Sequence, residues 1–201
     1  MLAVDYMLTK PKGVNSLVLA GPVLSSAKYM EDGKRLKANL PAETREIIDR
    51  NENAGMTSKE YRAAIREYYR QHMCRLDPFP PELMESMRTL GWDVMNTMWG
   101  PGEFRITGTL KDFDRSGRLR EITVPTLFTA GRYDVATPET TAWYHSLMPG
   151  SSIKIFEGSS HLPWFELENP ARYLDVVRAF LKDVEGNPRE KRKEPAGPSA
   201  R

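Results

Sequence analysis

The chain has 201 residues, 40% apolar and 28% charged, with a net charge of +2; this is enough for one sizeable core and too apolar for a disordered protein. Five Lys/Arg against two Glu fall from Gly186 onward, so the remainder carries about −1 and offers no basic face for nucleic acid. No stretch approaches the roughly 20 apolar residues that span a membrane, residues 1–10 do not read as a signal peptide, and a single cysteine, Cys74, excludes an intramolecular disulfide framework and fits a reducing, cytoplasmic compartment.

Residues 1–9 are apolar nearly all round at helical spacing, which predicts a helix buried against a sheet and ended by Pro11 and Gly13. Residues 14–20 read as a strand of the buried parallel kind, stopped by Gly21-Pro22. From Ser25 to about Asp114 the βα rhythm breaks. Helices are predicted over 36–51, 58–74 and 81–99, the second capped by Ser58 and carrying Tyr61, Ile65, Tyr68, Tyr69 and His72 at helical spacing. A second strand is predicted over 122–130, closed by Gly131, and a helix over 138–147 with Pro138 and Glu139 in its first turn. Residues 152–157 alternate like a strand, residues 162–166 read as a turn, and Asn169-Pro170 caps a last amphipathic helix through Tyr173, Val176, Val177, Phe180 and Leu181. From Glu185 the composition is that of a disordered tail.

Asp134 lies in Gly131-Arg132-Tyr133-Asp134 just past one predicted strand, and His161 in Gly158-Ser159-Ser160-His161 just past the next. In a parallel sheet that order puts both side chains on the same rim. A carboxylate on the far nitrogen of a histidine fixes its tautomer and stabilises the imidazolium, which is the base half of a nucleophile triad.

The order Asp then His after late strands resembles the α/β-hydrolases. The segments Met1-Leu2-Ala3-Val4-Asp5-Tyr6, Gly100-Pro101-Gly102-Glu103-Phe104, Gly131-Arg132-Tyr133-Asp134 and Ser159-Ser160-His161 together resemble the proline iminopeptidases, serine aminopeptidases that release an N-terminal proline. The likeness covers nearly all of residues 1–184 and implies the C-terminal part of an α/β-hydrolase fold: three late parallel strands with flanking helices, carrying an all-helical cap. It divides the chain into partial core at 1–24, helical cap at 25–115, core with the Asp and His loops at 116–184, and tail at 185–201. In that family the nucleophilic serine sits in a G-x-S-W-G-G elbow before a helix that begins like residues 1–4, which puts it about four residues ahead of Met1. Neither this elbow nor the H-G-G-P-G oxyanion loop occurs in the 201 residues. The resemblance therefore implies a chain with its base, orienting acid and cap, lacking its nucleophile and inactive alone, with residues 14–20 as an unpaired apolar edge that aggregates or needs a partner.

The resemblance assigns Asp134 and His161 to the triad, and Glu103 with Phe104 to the substrate, the carboxylate taking the free α-ammonium of a small peptide by a charge-assisted hydrogen bond. Glu67 is the candidate for a second amine-binding acid. Trp99, Tyr133 and Trp164 read as core aromatics before pocket walls, Cys74 as a buried small hydrophobe without a base, and Ser159 and Ser160 as turn residues outside any nucleophile elbow. The three histidines show no metal spacing, and neither metal nor cofactor is expected. Two other readings remain: an amidase of the same fold acting on amino-acid amides, and a non-catalytic module that captures N-terminal amines.

Overall fold

Three parallel strands organise the computed structural model, which describes residues 1–166 and 170–186. They run in the order β1 (Leu17–Ala20), β2 (Thr126–Gly131), β3 (Ser151–Phe156), with Leu17 opposite Thr126 and Thr126 opposite Ser151. β2 is buried along its whole length, as a central parallel strand must be. Pairing starts later than the residue types predict, at 17 and 126 in place of 14 and 122. Pro125 has no N–H to donate, so the ladder begins where its carbonyl accepts from Leu17 (2.9 Å).

Helix α1 (Leu2–Leu8) precedes the sheet and α7 (Pro138–Ser146) connects β2 to β3. Thr137 caps α7, its hydroxyl accepting from Thr140 N at 3.3 Å, with Pro138 in the first turn. Val4, Met7, Leu19, Leu24, Leu119, Phe128, Tyr144 and Met148 form the core cluster around the sheet. The prediction of a helix buried all round is corrected at α1: Val4 and Met7 are buried, whereas Leu2 and Tyr6 are exposed, because nothing among the described residues covers that side.

The five α-helices between β1 and β2 belong to one insertion, with a 3-10 turn (Ser116–Glu121) leading from it back to the sheet: α2 (Ser26–Lys37), α3 (Ala42–Asn53), α4 (Lys59–His72), α5 (Pro81–Arg88) and α6 (Trp92–Met98). The insertion is closed at its base, where Ser26 N donates to Phe113 O and Arg115 N to Leu24 O, both at 2.8 Å. The helix predicted over 36–51 is two helices. Pro41 lacks the N–H and restricts Leu40, so α2 ends at Lys37 and α3 starts after Pro41, while Ser25 caps a helix that the pattern missed. The helix predicted over 81–99 likewise breaks at Leu90-Gly91. Ser58 caps α4 as predicted, accepting from Tyr61 N at 3.1 Å. Tyr29, Leu40, Ile48, Tyr61, Ile65, Tyr68, Phe104 and Ile106 pack as a separate core for the cap, and Val135 from the loop after β2 joins it.

Residues 163–166, predicted as a turn, form the short helix α8 (Pro163–Glu166), started by its proline. Helix α9 (Ala171–Gly186) is the last element among the described residues, with Tyr173 packed 5.4 Å from both Phe156 and Trp164. It includes Glu185 and Gly186; the predicted tail beyond them and the Asn169 cap lie outside the described residues. Among the described residues β1 pairs only with β2. Its outer side, with Leu90, Val94, Met95 and Met98 from the α6 region, walls an apolar cavity of about 780 Å³. No described helix is long and apolar enough to cross a membrane.

Candidate active site

The two loops that carry Asp134 and His161 meet at Gly131. A Cβ there would lie 2.0 Å from the Ser160 carbonyl oxygen and 2.4 Å from that of Ser159, so only glycine lets the end of β2 approach the turn after β3 this closely. Arg132 N donates to Phe156 O at 3.0 Å and Tyr133 N to Ser159 O at 3.1 Å, which joins the loops.

Asp134 is 1% exposed. Its Oδ1 accepts from Ala136 N at 2.8 Å and its Oδ2 from Gly131 N at 3.3 Å, so the loop's own backbone orients the carboxylate. Oδ1 also stands 2.8 Å from His161 Nδ1. The carboxylate accepts, so these partners assign the proton of a neutral His161 to Nδ1 and leave the basic lone pair on Nε2. The imidazole lies against Gly21 at the end of β1, where φ is +49° and a Cβ would fall 2.6 Å from His161 Cε1 and 2.7 Å from Nδ1. Three strand ends thus converge on one ring.

Glu103 enters from the cap. Its two carboxylate oxygens accept from the hydroxyls of Tyr29 and Tyr69, each at 2.5 Å. Burial of the carboxylate pushes its pKa up; the two tyrosine bonds pull the other way, the charge of Glu52 adds to the rise and that of His161 opposes it. The hydroxyls of Tyr29 and Tyr69 are pushed well above their ordinary range, by burial first and then by the Glu103 charge, so both remain donors.

The acid beside Glu103 is Glu52, whose Oε1 accepts from the backbone N–H of Glu103 (2.8 Å) and Phe104 (3.0 Å) and from the Tyr61 hydroxyl (2.8 Å). Glu67 accepts from the Thr44 hydroxyl at 2.8 Å and braces α3 against α4. Phe104 is buried in the cap core, edge-on to Tyr68 at 4.7 Å, with the Lys37 ammonium 5.1 Å from its ring. Trp99 stands edge-on to Tyr29, Tyr133 is half-exposed under the Arg75 guanidinium, and Trp164 belongs to the α8–α9 contact. Cys74, Ser159 and Ser160 are fully buried.

Sequence reasoning missed three positions. Gly21 sets the imidazole's place and was read only as a strand stop. Glu52 sits 51 residues from the backbone that it holds. Asp32, buried on α2, accepts from the hydroxyls of Thr137 (2.9 Å) and Thr140 and clasps the cap to the loop that follows Asp134.

No family model matches the chain. Curated proteins do: it is 43% identical over 187 residues to the proline iminopeptidase of Heyndrickxia coagulans, covering 91% of this chain and 64% of that one. It is 34% identical over 188 residues to the proline iminopeptidase of Saccharolobus solfataricus, covering 91% and 59%. The chain thus spans about three fifths of the length of these relatives. Among solved structures, VinJ superposes with a TM-score of 0.85 at 34% identity, and the proline iminopeptidase of Mycobacterium smegmatis with 0.80 at 36%, each covering 92% of this chain and 62% of the other.

Proposed function

Because the chain is a homologue of the proline iminopeptidases and carries the C-terminal part of an α/β-hydrolase fold, we propose that residues 1–184 supply the base, the orienting acid and the amine-binding cap of a serine aminopeptidase acting on small peptides. The nucleophile and oxyanion donors come from a segment N-terminal to Met1. The reading rests on the Asp134–His161 bond of 2.8 Å, with α4 joining that pair to the Glu103 carboxylate: Tyr69 donates to Glu103 and the His72 carbonyl accepts from His161 N.

In this reading the serine Oγ attacks the carbonyl carbon of the first residue while His161 Nε2 takes the hydroxyl proton. Asp134 holds the imidazolium, which returns the proton to the leaving amine, and water then releases the acyl group by the same route. Glu103 takes the substrate's ammonium within a site bounded by residues 25–115 as the cap. Its two tyrosine donors keep the carboxylate in place between turnovers. With Phe104 in the cap core, that ring acts on the substrate through the position of Glu103.

The test joins the N-terminal segment of the Heyndrickxia coagulans relative ahead of Met1 and measures release from prolyl anilide and from its N-acetyl derivative. The fusion cleaves the first, spares the second, and loses about 10⁴-fold with His161→Ala; the 201-residue chain alone cleaves neither. A fusion that melts cooperatively without cleaving prolyl anilide, or that keeps its rate after His161→Ala, overturns the proposal. Amine capture without cleavage is a second reading favoured by one observation: the tyrosine cradle of Glu103 is complete within this chain. Calorimetry with a free-amine peptide and its acetylated form measures it.

A further inference from the structure

The C-terminal end of α4 holds both loops of the dyad. The carbonyl oxygen of His72, the last residue of that helix, accepts from Val135 N at 3.2 Å and from His161 N at 3.3 Å. Its side chain reaches the same turn, with Nδ1 2.8 Å from the Tyr133 carbonyl oxygen. A carbonyl can only accept, so Nδ1 carries the proton and the neutral ring has its lone pair on Nε2. Nε2 is buried with no hydrogen-bond partner among the described residues. The ring packs 5.0 Å from Tyr68, and burial lowers its pKa, which keeps it neutral. The neighbours of Asp134 on both sides and the backbone of His161 are therefore all fixed from one helix end.

We propose that His72 is a positioning residue for the Asp134–His161 pair: its Nδ1–H pins the Tyr133 carbonyl and so sets the turn from which Asp134 projects, while its own carbonyl sets the backbone of His161. α4 also carries Tyr69, which holds Glu103, so a single helix aligns the ammonium-binding carboxylate and the base. The catalytic importance of this alignment rests on the reading of the dyad given above; the alignment itself is measured without any turnover.

Long-range proton–nitrogen NMR of the 201-residue chain reports which ring nitrogen of His161 is protonated. The wild type shows the Nδ1–H form. His72→Phe keeps a ring against Tyr68 but has no N–H, and His161 shifts to a mixture with the Nε2–H form. His72→Asn places an N–H near the Nδ1 position and restores the Nδ1–H form, whereas His72→Gln places it near Nε2 and does not. In the fusion protein His72→Phe lowers kcat about 100-fold with KM little changed, as expected for a base displaced by about 1 Å, and His72→Asn recovers most of it. If His72→Phe does not fold, the Asn and Gln variants decide. An unchanged His161 tautomer in the folded Phe or Gln variant overturns the positioning role and leaves the aminopeptidase reading standing. A tautomer that responds in a fusion that never cleaves does the reverse.

Discussion

Gly21→Ala perturbs the dyad from a strand that contributes no polar side chain to it. Two costs follow from the geometry. An alanine at φ +49° occupies the left-handed region, at about 1–2 kcal/mol, which for a chain of this size lowers the melting temperature by roughly 2–8 °C. The new methyl carbon also starts 2.6 Å from His161 Cε1, where carbon atoms prefer about 3.5–4.0 Å, so the imidazole retreats by about 1 Å. A retreat of that size stretches the 2.8 Å bond to Asp134 beyond hydrogen-bonding distance. The Oδ2 of Asp134 lies only 3.3 Å from the same methyl position, so the methyl crowds both partners of that bond. Scanning calorimetry measures the first cost and the His161 tautomer the second; in the fusion protein the displacement costs about 100-fold in kcat. A variant with an unchanged melting temperature and an unchanged Nδ1–H signal refutes the argument, since it would mean that neither the backbone nor the ring is constrained at this contact.

Glu103→Gln separates stability from recognition. Because burial raises the Glu103 pKa, the folded state binds that proton more tightly than the unfolded chain, and wild-type stability falls as pH rises from the ordinary carboxylate range through the raised value. The glutamine variant lacks this loss and melts higher at pH 7, yet binds a free-amine peptide about 10- to 150-fold more weakly, the equivalent of one charge-assisted hydrogen bond; a variant that melts lower at pH 7 contradicts the sign. Asp32→Ala leaves the buried hydroxyls of Thr137 and Thr140 without their acceptor, which costs about 2–6 kcal/mol in denaturant unfolding, and a loss well below that range shows that the clasp between cap and core is not structural.

The dyad was legible because its geometry is nearly local. A strand, a turn with Asp134, a helix, a strand and a turn with His161 follow one another without interruption, and parallel pairing then forces both turns to one rim. The βα rhythm and its interruption by a helical stretch were legible too, although three helices were predicted there where five α-helices form, and the fold class itself came from the family resemblance. Errors fell where one residue overrules a periodic pattern. Pro41 divides an otherwise continuous amphipathic run, Gly91 does the same between α5 and α6, and Pro125 delays both β1 and β2. The supports of the site were not legible, because their partners are remote in the chain: Asp32 reaches Thr137 across 105 residues, and His72 reaches Tyr133 across 61. Glu52 looks in sequence like any other acid near the end of a polar helix, and only the folded backbone of residues 103–104 distinguishes it from Glu67.

The cap is unequally free to change. α5 and α6 bury no residue, whereas α4 buries five, among them Tyr68 and His72. Drift in α6 reshapes the apolar wall that faces β1 and leaves the Asp134–His161 contact alone. Drift in α4 moves the Tyr69 hold on Glu103 and the His72 hold on the His161 backbone together, so variation collects in the outer helices while the spacing of that carboxylate and that imidazole is inherited as one piece.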